Sequence, residues 1–109
     1  VTKRFAILAV LFAIPAFAVS RKEYGKTQTA TTTSTEHGFG FAARSFTVVN
    51  EGAVTVYVDG NCGTATSADP PVLAGETYSP PPTDRHEAPT CIAILSASST
   101  ASVRIYAYE

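Results

Sequence analysis

The stretch Ser45–Val58, "SFTVVNEGAVTVYV", decides the fold class. "AVTVYV" places Val54, Val56 and Val58 on one side and Thr55 and Tyr57 on the other, the two-residue period of a half-buried strand. "SFTVV" is β-branched in the same way, and such side chains favour extended backbone over helix. Between the two, "NEG", Asn50–Gly52, carries turn chemistry.

The same grammar runs on to the C-terminus. "DGNCG", Asp59–Gly63, is a turn cluster. "PVLAGETYS" reads as a short edge strand around an Ala74-Gly75-Glu76 turn, or as two half-strands, with Pro70 and Pro71 unsuited to a central strand. Pro80–Pro89, "PPPTDRHEAP", is a proline-rich loop. "CIAILSA" and "SVRIYAYE" are two further strands joined by the small residues Ser98–Ala101. Paired strands without a helical period imply an all-β domain over residues 44–109, a small antiparallel β-sandwich or barrel. Phe46, Val48, Val54, Val56, Ile92, Ile94, Val103 and Ile105 form the expected inner face. Tyr57, Arg104, Tyr106 and Tyr108 then face outward on one sheet. That face is either an ordinary half-exposed strand surface or a candidate subunit interface, where Tyr and Arg are enriched.

Upstream, residues 19–43 are polar. In "TQTATTTST", Thr27–Thr35, seven of nine residues are Thr or Ser, and no hydrophobic period is visible. The segment reads as a flexible Thr-rich arm, with an edge strand as the alternative because Thr has good β-propensity. "HGFGF", His37–Phe41, marks the approach to the folded part. Residues 1–18 have Lys3 and Arg4 ahead of an uncharged run, Phe5–Val19, and end in Ala16-Phe17-Ala18. A basic start, a short apolar run and a small-x-small exit predict a signal peptide cut between Ala18 and Val19. A retained membrane anchor helix is the alternative, although a span needs roughly 20 apolar residues. A buried core helix is disfavoured because the run is apolar all round.

Export bears on the two cysteines, Cys62 and Cys91. In an oxidising compartment they are expected to form one disulfide. They lack the CxxC or Cys/His spacing of metal or redox sites, so no metal or cofactor is expected. The net charge of the chain is −1, with 16% charged residues, which excludes the basic face that nucleic acid demands. Removing Lys3 and Arg4 leaves six basic residues against nine acidic ones. "GKT", Gly25–Thr27, lacks the glycine, strand and helix of a phosphate-binding loop. Asp84, Arg85, His86 and Glu87 are the densest ionisable cluster and a candidate binding loop, but proline-rich surroundings offer no rigid catalytic scaffold. The chain contains two His and no GxSxG elbow. No enzymatic activity is expected.

"FTVVNEGAVTVYV", "LAGETYS" and "IAILSASSTASVRIYAYE" together resemble small β-sandwich virion proteins of tailed bacteriophages, of the head-decoration or fibre type. The matching residues, Phe46–Val58, Leu73–Glu76 and Ile92–Ile105, cover about the C-terminal half of the chain. The resemblance implies a structural protein that packs against copies of itself or other structural proteins, with the Thr-rich arm reaching across by strand addition. The chain departs from that group in its export signal and disulfide pair. The alternative is a periplasmic or secreted binding module that uses the Pro80–Pro89 loop. A membrane is a partner only if residues 1–18 are retained.

Overall fold

A computed structural model describes residues 21–80 and 88–109. The expected signal or anchor helix with Ala16, Ala18 and Val19, and the candidate loop Asp84–Glu87, lie outside the described residues.

Among the described residues eight strands run in chain order: β1 Glu23–Ala30, β2 Thr35–Gly38, β3 Ser45–Asn50, β4 Val56–Asp59, β5 Pro71–Val72, β6 Thr77–Tyr78, β7 Cys91–Ser96 and β8 Ala101–Tyr108. They form two antiparallel four-stranded sheets, ordered β1-β8-β3-β6 and β2-β7-β4-β5. Of the described strands, only β4 and β5 are neighbours both in sequence and in a sheet. Every other successive pair crosses from one sheet to the other. This strand order is that of a double-sheet jelly roll.

The two-residue period carries the core. Phe46 and Val48 of β3, Val56 and Val58 of β4, Ile92 and Ile94 of β7, and Val103 and Ile105 of β8 are fully buried between the sheets. Val54 is only partly buried, because β4 begins two residues later, at Val56. Phe39, Ala43, Val72, Ala101 and Ala107 add to the core. Phe39 packs edge-on to Tyr24 at 5.4 Å between ring centroids and lies 6.4 Å from Phe46.

Three expectations are corrected. Residues 21–43 are not an arm. β1 pairs along its whole length with β8, and β2 pairs with β7. The edge-strand alternative describes both, since each lies at the margin of its sheet. β1 turns Tyr24 and Ala30 inward beside β8, and the Gln28 amide donates to the Tyr24 hydroxyl at 3.1 Å. Strand addition to a neighbour by a free Thr-rich arm therefore has no basis in residues 21–40. Second, "NEG" does not close a hairpin. β3 pairs with β8 and β6, and the chain after Asn50 passes to the other sheet. Third, β7 and β8 are not a hairpin either, and Ser98–Ala101 also bridges the sheets.

Asn50 makes the first crossover specific. It is fully buried. Its amide nitrogen donates to Val54 O at 2.8 Å and to Val72 O at 2.9 Å, and its carbonyl oxygen accepts from Gly52 N at 2.9 Å. Its backbone accepts from Gly75 N and donates to Glu76 O. One side chain thus ties the end of β3, the crossover and β5. The β5–β6 turn is held by Glu76 N donating to Leu73 O at 2.9 Å, with Gly75 at φ +81°, the left-handed position that favours glycine in such a turn. Gly52 is required for close approach: a Cβ there would lie 2.8 Å from Ala101 Cβ and 3.0 Å from Ala101 Cα.

Candidate functional site

The two outer faces of the sandwich differ. On the β2-β7-β4-β5 sheet, Ala93 points outward yet is fully buried. The chain after β4 folds over that face. It is anchored by the Cys62–Cys91 disulfide, with Cα atoms 5.1 Å apart, by Gly63 N donating to Glu36 Oε2 at 2.8 Å, and by Ala65 N donating to Ser34 Oγ at 2.8 Å. It returns to the sheet where Val58 N donates to Pro70 O. The disulfide expected from the sequence is therefore present, and it staples a flap over this sheet.

Glu36 Oε2 and the two sulfurs lie within 4.8 Å of one another. The sulfurs are bonded to each other and offer no thiolate, and the carboxylate already accepts from Gly63 N. The group is a loop anchor whose donor set does not suit a metal ion.

The β1-β8-β3-β6 sheet carries no such flap among the described residues. Register places Arg104, Tyr106 and Tyr108 of β8 on its outer face, flanked by Thr27, Gly25 and Glu23 of β1 and by Val49, Thr47 and Ser45 of β3. Tyr108 is 44% exposed. Glu51 pairs with Arg104 at 3.3 Å across the end of the sheet. A hydrogen bond with Tyr106, and then the charge of Glu51, hold the Arg104 guanidinium above its ordinary value, so it is cationic throughout the working pH range. Between β1 and β8 lies a shallow depression of about 280 Å³, lined by Gly25, Lys26, Thr27, Arg104 and Tyr106.

Of the four residues expected on one surface, the structure brings three together. Tyr57 is apart from them: it lies on β4, opposite Leu95, on the outer side of the other sheet. Both Tyr57 and Tyr106 obey the two-residue period, but the period cannot say which sheet a strand joins. His37 is a residue that sequence reasoning left in the arm. It is buried on β2, opposite Ile92, and its Nε2 has no hydrogen-bond partner among the described residues. Burial lowers its pKa below the ordinary 6.5. A single His in a polar stretch gave no sign of this, since the apolar pattern around it is weak.

No protein-family model matches the chain, and no curated protein matches it. Several solved structures are similar to the chain. The SPBc2 prophage-derived protein YomS is 14% identical with a TM-score of 0.51, covering 84% of this chain and 96% of that one. A cupin domain from Bordetella pertussis Tohama I is 11% identical with a TM-score of 0.49, covering 84% of each chain. A protein from Bacillus endospore appendages, described as disulfide-linked pili, is 15% identical with a TM-score of 0.41, covering 82% of this chain and 85% of that one. At such identities the likeness to YomS concerns the fold alone, and a jelly roll hosts many unrelated functions.

Proposed function

We propose that this chain is an exported, non-enzymatic β-sandwich that serves as a structural subunit, packing on a neighbour through the outer face of the β1-β8-β3-β6 sheet. The observation that carries the reading is the asymmetry of the two faces. One is closed by a disulfide-stapled flap, while the other presents Arg104, Tyr106 and Tyr108 side by side. Aromatic rings and arginine give large contact area at low conformational cost, which suits a packing surface. The disulfide supports an oxidising compartment. The resemblance of the strand and turn sequences to phage virion proteins supports a virion component as the specific setting, and the prophage origin of YomS is compatible with it.

Sedimentation velocity of the disulfide-intact protein tests the reading. Concentration-dependent association is expected, and Tyr106→Ser with Tyr108→Ser is expected to weaken it at least tenfold while leaving the far-ultraviolet spectrum unchanged. Association equal in the wild type and the double variant would refute a packing role for this face.

A further inference from the structure

The margins of the two sheets are unequal. β5 and β6 are two residues each, β5 carries Pro71, and β2 has four residues. Such short edges offer little to pair with. β1 is eight residues long and, among the described residues, hydrogen-bonded on one side only. Glu109 N donates to Lys22 O at 3.0 Å, while Tyr108 and Ser102 direct their carbonyls the other way, to Arg44 N and Glu51 N. In an antiparallel ladder these roles alternate. Tyr24, Lys26, Gln28 and Ala30 thus face β8 with their backbone groups. Glu23, Gly25, Thr27 and Thr29 aim their N–H and C=O groups at the open margin.

We propose that β1 pairs antiparallel with β1 of a second copy, centred on Gly25, joining two four-stranded sheets into one. This rests on the packing role proposed above, names a second copy as the partner and adds an edge contact to the outer-face one.

The charge pattern and a cation–ring pairing together favour that register. Antiparallel hydrogen-bonded pairing requires the outward-aimed residues to face one another, so the two-fold axis moves along the strand one residue at a time. An axis at Lys26 would set Lys26 against Lys26 of the second copy. An axis at Tyr24 would set Lys22 against Lys26. Like charges directly opposite are destabilising. An axis at Gly25 sets every charge of residues 21–29 against a neutral residue: Arg21 against Thr29, Lys22 against Gln28, and Glu23 against Thr27. It also sets Lys26 against Tyr24, on a pair whose side chains approach most closely. Lys26 already lies over its own Tyr24 ring, 5.7 Å from the centroid, so the two groups are compatible. A lysine on an edge strand commonly guards against promiscuous pairing. Here it rejects the two adjacent registers; an axis at Thr27 also keeps like charges apart but sets Lys26 against Gln28 and forfeits the contact with Tyr24. The axis falls on a residue with no side chain, at the floor of the shallow depression beside Tyr106.

Cysteine scanning of the purified protein, with the native disulfide formed, tests this. Gly25→Cys puts two thiols across the axis at a Cα separation of about 5.5 Å, within reach of a disulfide. The site tolerates the side chain, whose Cβ would meet Tyr106 Cδ1 at an ordinary 3.5 Å. On mild oxidation Gly25→Cys is expected to yield a covalent dimer linked Cys to Cys at position 25, confirmed by peptide mapping, while Thr29→Cys, opposite Arg21, stays uncrosslinked. Thr27→Pro removes one outward-aimed N–H and no bond to β8, so it is expected to fold and to lose pairing. Equal crosslinking at positions 25 and 29, or none at either, would overturn the proposal, and this result stands even if Thr27→Pro does not fold. A folded Thr27→Pro that associates like the wild type would also overturn it. If that association were then lost in the Tyr106→Ser, Tyr108→Ser variant, outer-face packing would stand without edge pairing.

Discussion

Replacing Asn50 with alanine removes three hydrogen bonds at once, to Val54 O, Val72 O and from Gly52 N. A typical intramolecular hydrogen bond contributes about 1 kcal/mol net, so the three together account for about 3 kcal/mol. The bond to Val72 O is buried, and an acceptor left without a partner there costs a further ~1 kcal/mol or more. The expected loss for Asn50→Ala is therefore about 3–5 kcal/mol, a large share of the stability of any small domain. For a domain of this size that corresponds to a fall in melting temperature of well over ~10 °C. Asn50→Asp is the sharper test. It keeps an acceptor for Gly52 N but turns an oxygen toward the carbonyls of Val54 and Val72. Burial and those carbonyls disfavour the charged carboxylate, so Asn50→Asp should lose more stability at pH 7 than at pH 4, where a protonated acid can donate one bond. Urea unfolding followed by circular dichroism and tyrosine fluorescence gives the free energies, and amide exchange at Gly52 and Gly75 localises the effect. A loss below about 1 kcal/mol for Asn50→Ala, with an unchanged denaturant slope, would refute the view that this side chain organises the crossover.

Two further perturbations concern the flap and the buried imidazole. The Cys62–Cys91 bridge spans a sequence separation of 29 residues. Replacing both cysteines by serine should cost about 3–4 kcal/mol in the chain-entropy account, measured by denaturant unfolding, and should raise amide exchange at Gly63 and Ala65 ahead of the strands. His37 is held neutral by burial, so the unfolded chain binds its proton more readily than the folded one. Its contribution to stability is complete above pH 6.5 and is lost as pH falls below that value toward the lowered folded pKa, by at most about 1.4 kcal/mol per pH unit. Thermal melts from pH 7.5 to 4.5 should show this slope in the wild type and a shallower one in His37→Leu. Equal slopes would assign the acid sensitivity to other groups.

Much of the fold was legible in the residues themselves. Alternation in "SFTVV", "AVTVYV", "CIAIL" and "SVRIYAY" follows from the pleat, which sends successive side chains to opposite faces whatever lies beyond them. It identified Phe46, Val48, Val56, Ile92, Ile94, Val103 and Ile105 as inward, and all are fully buried. The pairing of Cys62 with Cys91 followed because they are the only two cysteines. The β5–β6 turn was marked by Gly75, whose left-handed backbone is strained for most other residues. The partners of each strand were decided only in three dimensions. Pairing depends on long-range register, and short strands of similar character are interchangeable as sequence. Adjacent runs such as β3 and β4, or β7 and β8, looked like hairpins and instead lie in opposite sheets. The same ambiguity put Tyr57 with Tyr106 and left Thr27 and His37 in an arm. An edge strand buries only one flank, so its sequence needs little apolar patterning, and β8 supplies the hydrogen bonds that make β1 a strand. Local side-chain chemistry determined which residues turn inward; the contacts of distant strands determined which surface each outward residue shares.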